Sequence, residues 1–222
     1  MESHIVKIKN IHKVTHDVLG IRVEKPAGYT FVPGQATEVA INRENWIKER
    51  RPFTFTCLPT EDYLEFTIKT YPSRQGVTNE LLKLKPDDEL IIHDVWGAIH
   101  YKGPGLFIAG GAGVTPFIAI FRHLASGNNV NGNRLLFANK TKDDIILRDE
   151  LAGMLGENMI NVLSDEDVSG YRHGYITQDV LKETLPGFDK NVYICGPPPM
   201  MDAMMKSLGN LGVSEELVTV EI

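Results

Sequence analysis

From residue 3 to about residue 100, apolar residues come in short runs separated by turn formers. Many of these runs alternate with polar positions at the period of two that marks strands. They predict strands over 4–13, 18–24, 37–42, 51–58, 63–71 and 89–94. Six short strands in succession suit an antiparallel sheet closed on itself. One stretch breaks the pattern: Gly76-Val77-Thr78-Asn79-Glu80-Leu81-Leu82-Lys83-Leu84 has helical spacing and is stopped by Pro86, which predicts a single helix capping the barrel. After Lys102-Gly103-Pro104-Gly105 the pattern changes. Buried strands over 106–109, 134–139, 159–163, 191–195 and 217–221 alternate with helices near 116–126, 144–155, 178–185 and 198–211, as in a parallel sheet with crossover helices. Two domains are therefore expected, 1–102 and 103–222: an antiparallel β-barrel with one capping helix, and an α/β domain with an open parallel sheet.

Composition narrows the class. Over 222 residues, 42% are hydrophobic and 23% charged, which supports a packed globular protein. The formal charge of −6 argues against nucleic acid as a partner. Two cysteines, Cys57 and Cys195, make no disulfide framework, metal site or iron–sulfur site. The N-terminus lacks a signal-peptide pattern, and the longest apolar stretch, 106–121, is broken by three glycines and Pro116. A cytoplasmic protein with no membrane partner is the expectation.

Candidate chemistry lies at four places. Gly110-Gly111-Ala112-Gly113-Val114-Thr115-Pro116 follows a buried strand and opens a helix. Its glycines admit close approach of a ligand, Thr115 could cap the helix, Pro116 suits its first position, and the free N–H groups of such a terminus attract a pyrophosphate. It departs from GxGxxG, and a plain structural turn is the alternative. Val192-Tyr193-Ile194-Cys195-Gly196-Pro197-Pro198-Pro199-Met200 repeats the strand–turn–helix arrangement, so both turns would face one crevice beyond the strand ends. Cys195 has no neighbouring cysteine, which favours packing over covalent chemistry. In the first half, Arg51-Pro52-Phe53-Thr54 sets a cation, a ring and a hydroxyl on a strand, and Gly76-Val77-Thr78 opens a helix; an exposed arginine beside a core strand is the plain alternative for the former.

Taken in order, these four motifs resemble the ferredoxin–NADP reductase superfamily, and the resemblance spans nearly the whole chain. It implies a barrel that binds FAD and a Rossmann-like domain of the ferredoxin reductase type that binds NAD(P)H. By that resemblance Arg51 would hold an FAD phosphate, Pro52 and Phe53 would lie by the flavin, and Thr54 would hydrogen-bond near its N5. Gly76, Val77 and Thr78 would hold the FAD pyrophosphate, with Ile68, Lys69 and Thr70 lining the flavin. Gly110, Gly111, Gly113, Thr115 and Pro116 would take the NAD(P)H pyrophosphate, while Cys195, Gly196, Pro197 and Met200 border the nicotinamide. Thr54, Cys195 and Glu221 are the catalytic candidates. Glu221 matches a carboxylate that some relatives place by the nicotinamide, although a terminal Glu can equally be a solvated residue. Many relatives end in an aromatic residue, whereas this chain ends Val220-Glu221-Ile222.

The stretch Ser164-Asp165-Glu166-Asp167 stands where NADPH-selective relatives place Ser and Arg. Asp165 and its neighbours would repel a 2′-phosphate and accept ribose hydroxyls, so NADH is expected to be preferred, with Arg172 and His173 as the residues that could reverse this. The implied activity is hydride transfer from NAD(P)H to bound FAD, then single electrons to an external carrier such as flavodoxin, ferredoxin or an oxygenase component. A flavin reductase using free flavin and a non-catalytic nucleotide-sensing module are the alternatives.

Overall fold

A computed structural model describes residues 3–187 and 189–220. The first half is built from β1 (Ser3–Lys13), β2 (Val18–Glu24), β3 (Ala36–Ile41), β4 (Arg51–Thr54), β5 (Tyr63–Lys69) and β6 (Glu89–Trp96). They form one antiparallel sheet in the order β4-β3-β6-β1-β2-β5, and a bridge between Phe55 and Phe66 nearly closes it into a barrel. Alternate residues point inward. Val6, Ile8, Ile21, Val23, Val39, Leu64, Phe66 and Ile92 fill the interior. The Phe31 and Phe55 rings stack at 4.4 Å among them. The capping helix α1 (Val77–Glu80) is short and runs into a 3-10 turn over Leu81–Lys83; Val77, Leu81 and Leu84 bury against the barrel core.

The second half contains β7 (Gly105–Gly110), α2 (Thr115–Ser126), β8 (Arg134–Asn139), α3 (Arg148–Leu155), β9 (Met159–Leu163), β10 (Arg172–His173), α4 (Gln178–Thr184), β11 (Asn191–Cys195), α5 (Pro198–Asn210) and β12 (Val218–Val220). Its six strands are all parallel, in the order β10-β9-β8-β7-β11-β12. The sheet is apolar on both faces, as a parallel sheet covered by helices requires. Phe107, Phe137 and Tyr193 meet α2 on one face, and Leu106, Ile108, Val192 and Ile194 meet α5 on the other. The chain builds outward from β7 in one direction and returns to its other side with β11, so the strand order reverses between them, where α/β sheets open a ligand crevice.

The two-domain architecture expected from the sequence is observed, with local differences. The predicted 51–58 strand ends at Thr54, and the predicted 144–155 helix is a 3-10 turn over Lys142–Asp144 followed by α3. β10 is an additional strand of two exposed polar residues, too short for any hydrophobic period.

The halves are packed together. Val18 and Ile99 from the first join the core that includes Phe117 and Ile120 of α2. The fully buried Tyr193 anchors the connection: its Oη accepts from the Lys102 N–H and donates to the Gly103 carbonyl, both at 2.8 Å. Burial pushes this phenol's pKa up, which keeps it a neutral donor.

Candidate functional site

A crevice of about 1180 Å³ runs between the halves and is lined by both. Its barrel wall comes from the ends of β4 and β5: Pro52, Phe53 and Thr54 from one, Ile68 and Lys69 from the other, with Thr78 near the start of α1. Its α/β wall comes from the carboxyl ends of β7 and β11: Gly110, Gly111, Gly113 and Thr115 in the first turn, Cys195, Gly196, Pro197 and Met200 in the second. Two turns far apart in sequence thus reach one cavity, because β7 and β11 are neighbours in register, with Ala109 opposite Cys195.

The turns interlock. A Cβ at Gly113 would stand 2.2 Å from the Cys195 carbonyl oxygen, and one at Gly110 would stand 2.4 Å from the Met200 sulfur. Gly111 takes φ +52, in the left-handed region that favours glycine. Thr115 does not cap α2 as its sequence context suggests. Val114 holds the cap position, and Thr115 Oγ1 donates to the Ala112 carbonyl at 3.0 Å, closing the 3-10 turn from which the helix starts. Pro116 lies in the first turn of α2 and is buried there, outside the crevice lining.

Other expected residues stand apart from the lining. Thr70 is buried, with Oγ1 donating to the Asp17 carbonyl at 2.9 Å. Val77 belongs to the barrel core, and Gly76 precedes α1 beside open space. The Arg51 guanidinium is turned outward, donating to the Arg50 carbonyl at 2.6 Å and meeting Glu49 at 3.3 Å. Asp165 is exposed and accepts from Ser164 Oγ at 2.6 Å; Ser164 itself lines the crevice. Arg172 pairs with Glu183 at 2.7 Å. Glu221 and Ile222 lie outside the described residues.

Several lining residues escape a motif reading. Arg74, its guanidinium 5.0 Å from the centre of the Tyr71 ring, puts a cation on the barrel side. Trp96 at the end of β6 and Tyr175 after β10 present rings, the latter 79% exposed. Lys69 Nζ reaches Asp17 at 2.8 Å and Asp144 at 4.0 Å, so an ammonium joins the two halves at the rim. Burial would raise the Asp17 pKa, but the hydrogen bond and charge of Lys69 outweigh it and the net direction is down. Asn139 closes β8 with both side-chain polar atoms buried and without a hydrogen-bond partner among the described residues. A buried amide without partners is costly, so Asn139 fits a wall built to meet a polar ligand. The volume, the cations on the barrel wall, the two interlocked glycine turns and this amide together suit phosphate-bearing, polar ligands.

The comparisons agree with that geometry. Residues 3–100 match an FAD-binding domain family, and residues 107–206 match an oxidoreductase NAD-binding domain family. The chain is 30% identical to NADH-cytochrome b5 reductase 1 of Emericella nidulans over 96% of its own length and 75% of that protein. It is 28% identical to the reductase component of propane 2-monooxygenase from Rhodococcus jostii, over 96% of its own length but 61% of that relative, less than two thirds. The solved CS-b5R domains of human Ncb5or in the NAD+ form superpose with a TM-score of 0.84 at 26% identity, covering 100% of this chain and 70% of that one. The halves are thus an FAD-binding barrel and a NAD-binding α/β domain, and the chain belongs to the ferredoxin–NADP reductase superfamily.

Proposed function

We propose that the protein is a reductase that takes hydride from NADH onto FAD and delivers electrons one at a time to a separate acceptor. The observation carrying this reading is the crevice itself, to which β4 and β5 of the FAD-binding half and both strand-end turns of the NAD-binding half contribute walls. FAD supplies the chemistry, accepting two electrons together and releasing them singly. The protein's contribution is positional, since hydride transfer needs no strong acid or base, only close approach of the reacting atoms. Thr54 offers a hydroxyl at the crevice wall that would hydrogen-bond to bound flavin. Lys69 and Arg74 supply positive charge against the phosphates and against the negative charge that reduction develops. Gly111 to Thr115 offer backbone N–H groups to the second pyrophosphate, and Cys195 to Met200 form the wall by the nicotinamide.

NADH is the proposed donor. The carboxylates of Asp165, Glu166 and Asp167 would repel a 2′-phosphate, and the nearby Arg172 is paired with Glu183. The acceptor is a small redox protein or an oxygenase component, in keeping with the names of the relatives. The test is the absorbance spectrum of the purified protein before and after anaerobic addition of NADH. A yellow protein that bleaches supports the reading, and an FAD-bearing protein that does not bleach with either nucleotide refutes it.

A second reading has one observation in its favour. Arg51 meets the Arg50 carbonyl and Glu49 and stands outside the crevice lining, and a flavin held without that cation would exchange more readily. Colourless protein that oxidises NADH only when free FMN or riboflavin is added would establish that alternative.

A further inference from the structure

In a reductase of this kind the two reacting groups are held by different halves of the chain, so the angle between the halves governs the reaction. β5 bears directly on that angle. Leu64, Phe66 and Ile68 point into the barrel, while Glu65, Thr67 and Lys69 point out. Glu65 is nonetheless 4% exposed, because the α/β half covers it. Its Oε1 accepts from Arg122 Nη1 at 2.6 Å and from Thr56 Oγ1 at 3.1 Å, and its Oε2 accepts from Arg22 Nε at 2.8 Å. Arg122 lies in the middle of α2. Nη1 donates also to the Thr56 carbonyl at 2.6 Å, while Nε and Nη2 grip Glu150 of α3 at 2.6 and 3.0 Å. One guanidinium therefore touches a barrel strand, the barrel loop after β4, and a second helix of the α/β domain.

These groups stay charged. Burial would push the Glu65 carboxyl up, but the hydrogen bonds from Arg122 and Arg22 reverse the direction. A buried ion pair contributes little stability beyond what apolar residues of the same shape would give. A planar guanidinium fork, unlike an apolar contact, fixes direction. What it aligns is specific: α2 starts at Thr115, seven residues before Arg122 and about 10 Å along the axis, at the glycine turn. β5 runs from Glu65 into Ile68 and Lys69 on the barrel wall.

We propose that Arg122 and Glu65 are positioning residues for hydride transfer, an inter-domain clamp on a buried carboxylate that fixes the helix carrying the dinucleotide turn against the strand lining the flavin. The proposal rests on the reductase reading, and the wild-type protein tests that reading separately.

The experiment uses the full chain loaded with FAD and compares wild type with Arg122→Met and Arg122→Lys. The limiting rate of anaerobic flavin bleaching is followed by stopped flow, and FAD and NAD+ affinities by titration. A misplacement of about 1 Å can cost about a hundredfold in rate, so Arg122→Met should lower the limiting rate by at least about tenfold with both affinities within about threefold of wild type. Arg122→Lys should recover part of the loss. A limiting rate within about twofold of wild type in folded, FAD-bearing Arg122→Met overturns the proposal. Should Arg122→Met fail to fold, Arg122→Lys decides: it keeps the charge but loses the planar fork, and a limiting rate equal to wild type overturns the clamp. Wild-type protein that carries FAD but does not bleach sinks the reductase reading itself.

Discussion

Replacing Gly113 by Ala tests whether the two glycine turns act as one unit. The added Cβ would stand 2.2 Å from the Cys195 oxygen, 2.5 Å from its carbonyl carbon and 2.7 Å from the Gly196 nitrogen. All three are backbone atoms at the end of a buried strand, so no rotamer change relieves them. Ordinary contact begins near 3.4 Å, and the turns must part by about 1 Å, at an overpacking cost of about 1–3 kcal/mol. For a chain of this size that lowers Tm by roughly 2–12 °C. The same displacement moves one wall of the crevice against the other, so the limiting rate of flavin bleaching by NADH should fall by about tenfold to a hundredfold. Gly110→Ala is the control. Its Cβ meets the Met200 sulfur, the flexible end of a side chain, at 2.4 Å and a Pro197 ring carbon at 2.9 Å, and its effect should be clearly smaller. Differential scanning fluorimetry and stopped-flow bleaching, run on both variants, give the comparison. Gly113→Ala with wild-type Tm and wild-type rate would refute the coupling of the turns.

Arg51→Ala should weaken FAD binding by about 1.5–3 kcal/mol in a fluorescence titration, because an exposed pair with Glu49 holds the guanidinium by only about 0–1 kcal/mol and a phosphate can take it over. Wild type should use NADH with a kcat/KM about tenfold above that for NADPH, about the worth of one charge-assisted hydrogen bond, and Asp165→Ser should narrow the gap in steady-state assays. Glu65 gives a pH signature. Its folded pKa lies below its unfolded value, so its stabilisation is present above the unfolded value of about 4.3 and is lost as pH falls through the folded one. The Tm difference between wild type and Glu65→Gln should therefore be largest near neutrality and shrink below about pH 4.

The architecture was legible because its signals are periodic. β2, β8, β9 and β11 run over the residues their hydrophobic runs predict, and the turn from Gly110 to Thr115 sits between the buried β7 and α2. The candidate site was legible where a motif marks the backbone, as at Phe53, Thr54 and the two α/β turns. It was not legible where a lone side chain arrives from elsewhere. Arg74, Trp96, Asn139 and Tyr175 belong to no local pattern, and only the closing of the barrel and the stacking of strands bring them to the crevice. Arg51 marks the opposite limit, since the residue type was evident and its side-chain direction was not. The pairing of Glu65 with Arg122 spans 57 positions, and nothing near either residue announces it.

β5 has no idle face. Its inward residues belong to the barrel, while its outward Glu65 and Lys69 reach Arg122 of α2 and Asp144 of the other half, so a substitution there is answerable to two domains at once. The halves are consequently less interchangeable than their separate folds suggest. A chimera joining this barrel to a relative's nucleotide domain would have to carry the partners of residues 22, 65, 122 and 150 together, and transplants that preserve only the glycine turns should assemble with a misaligned seam.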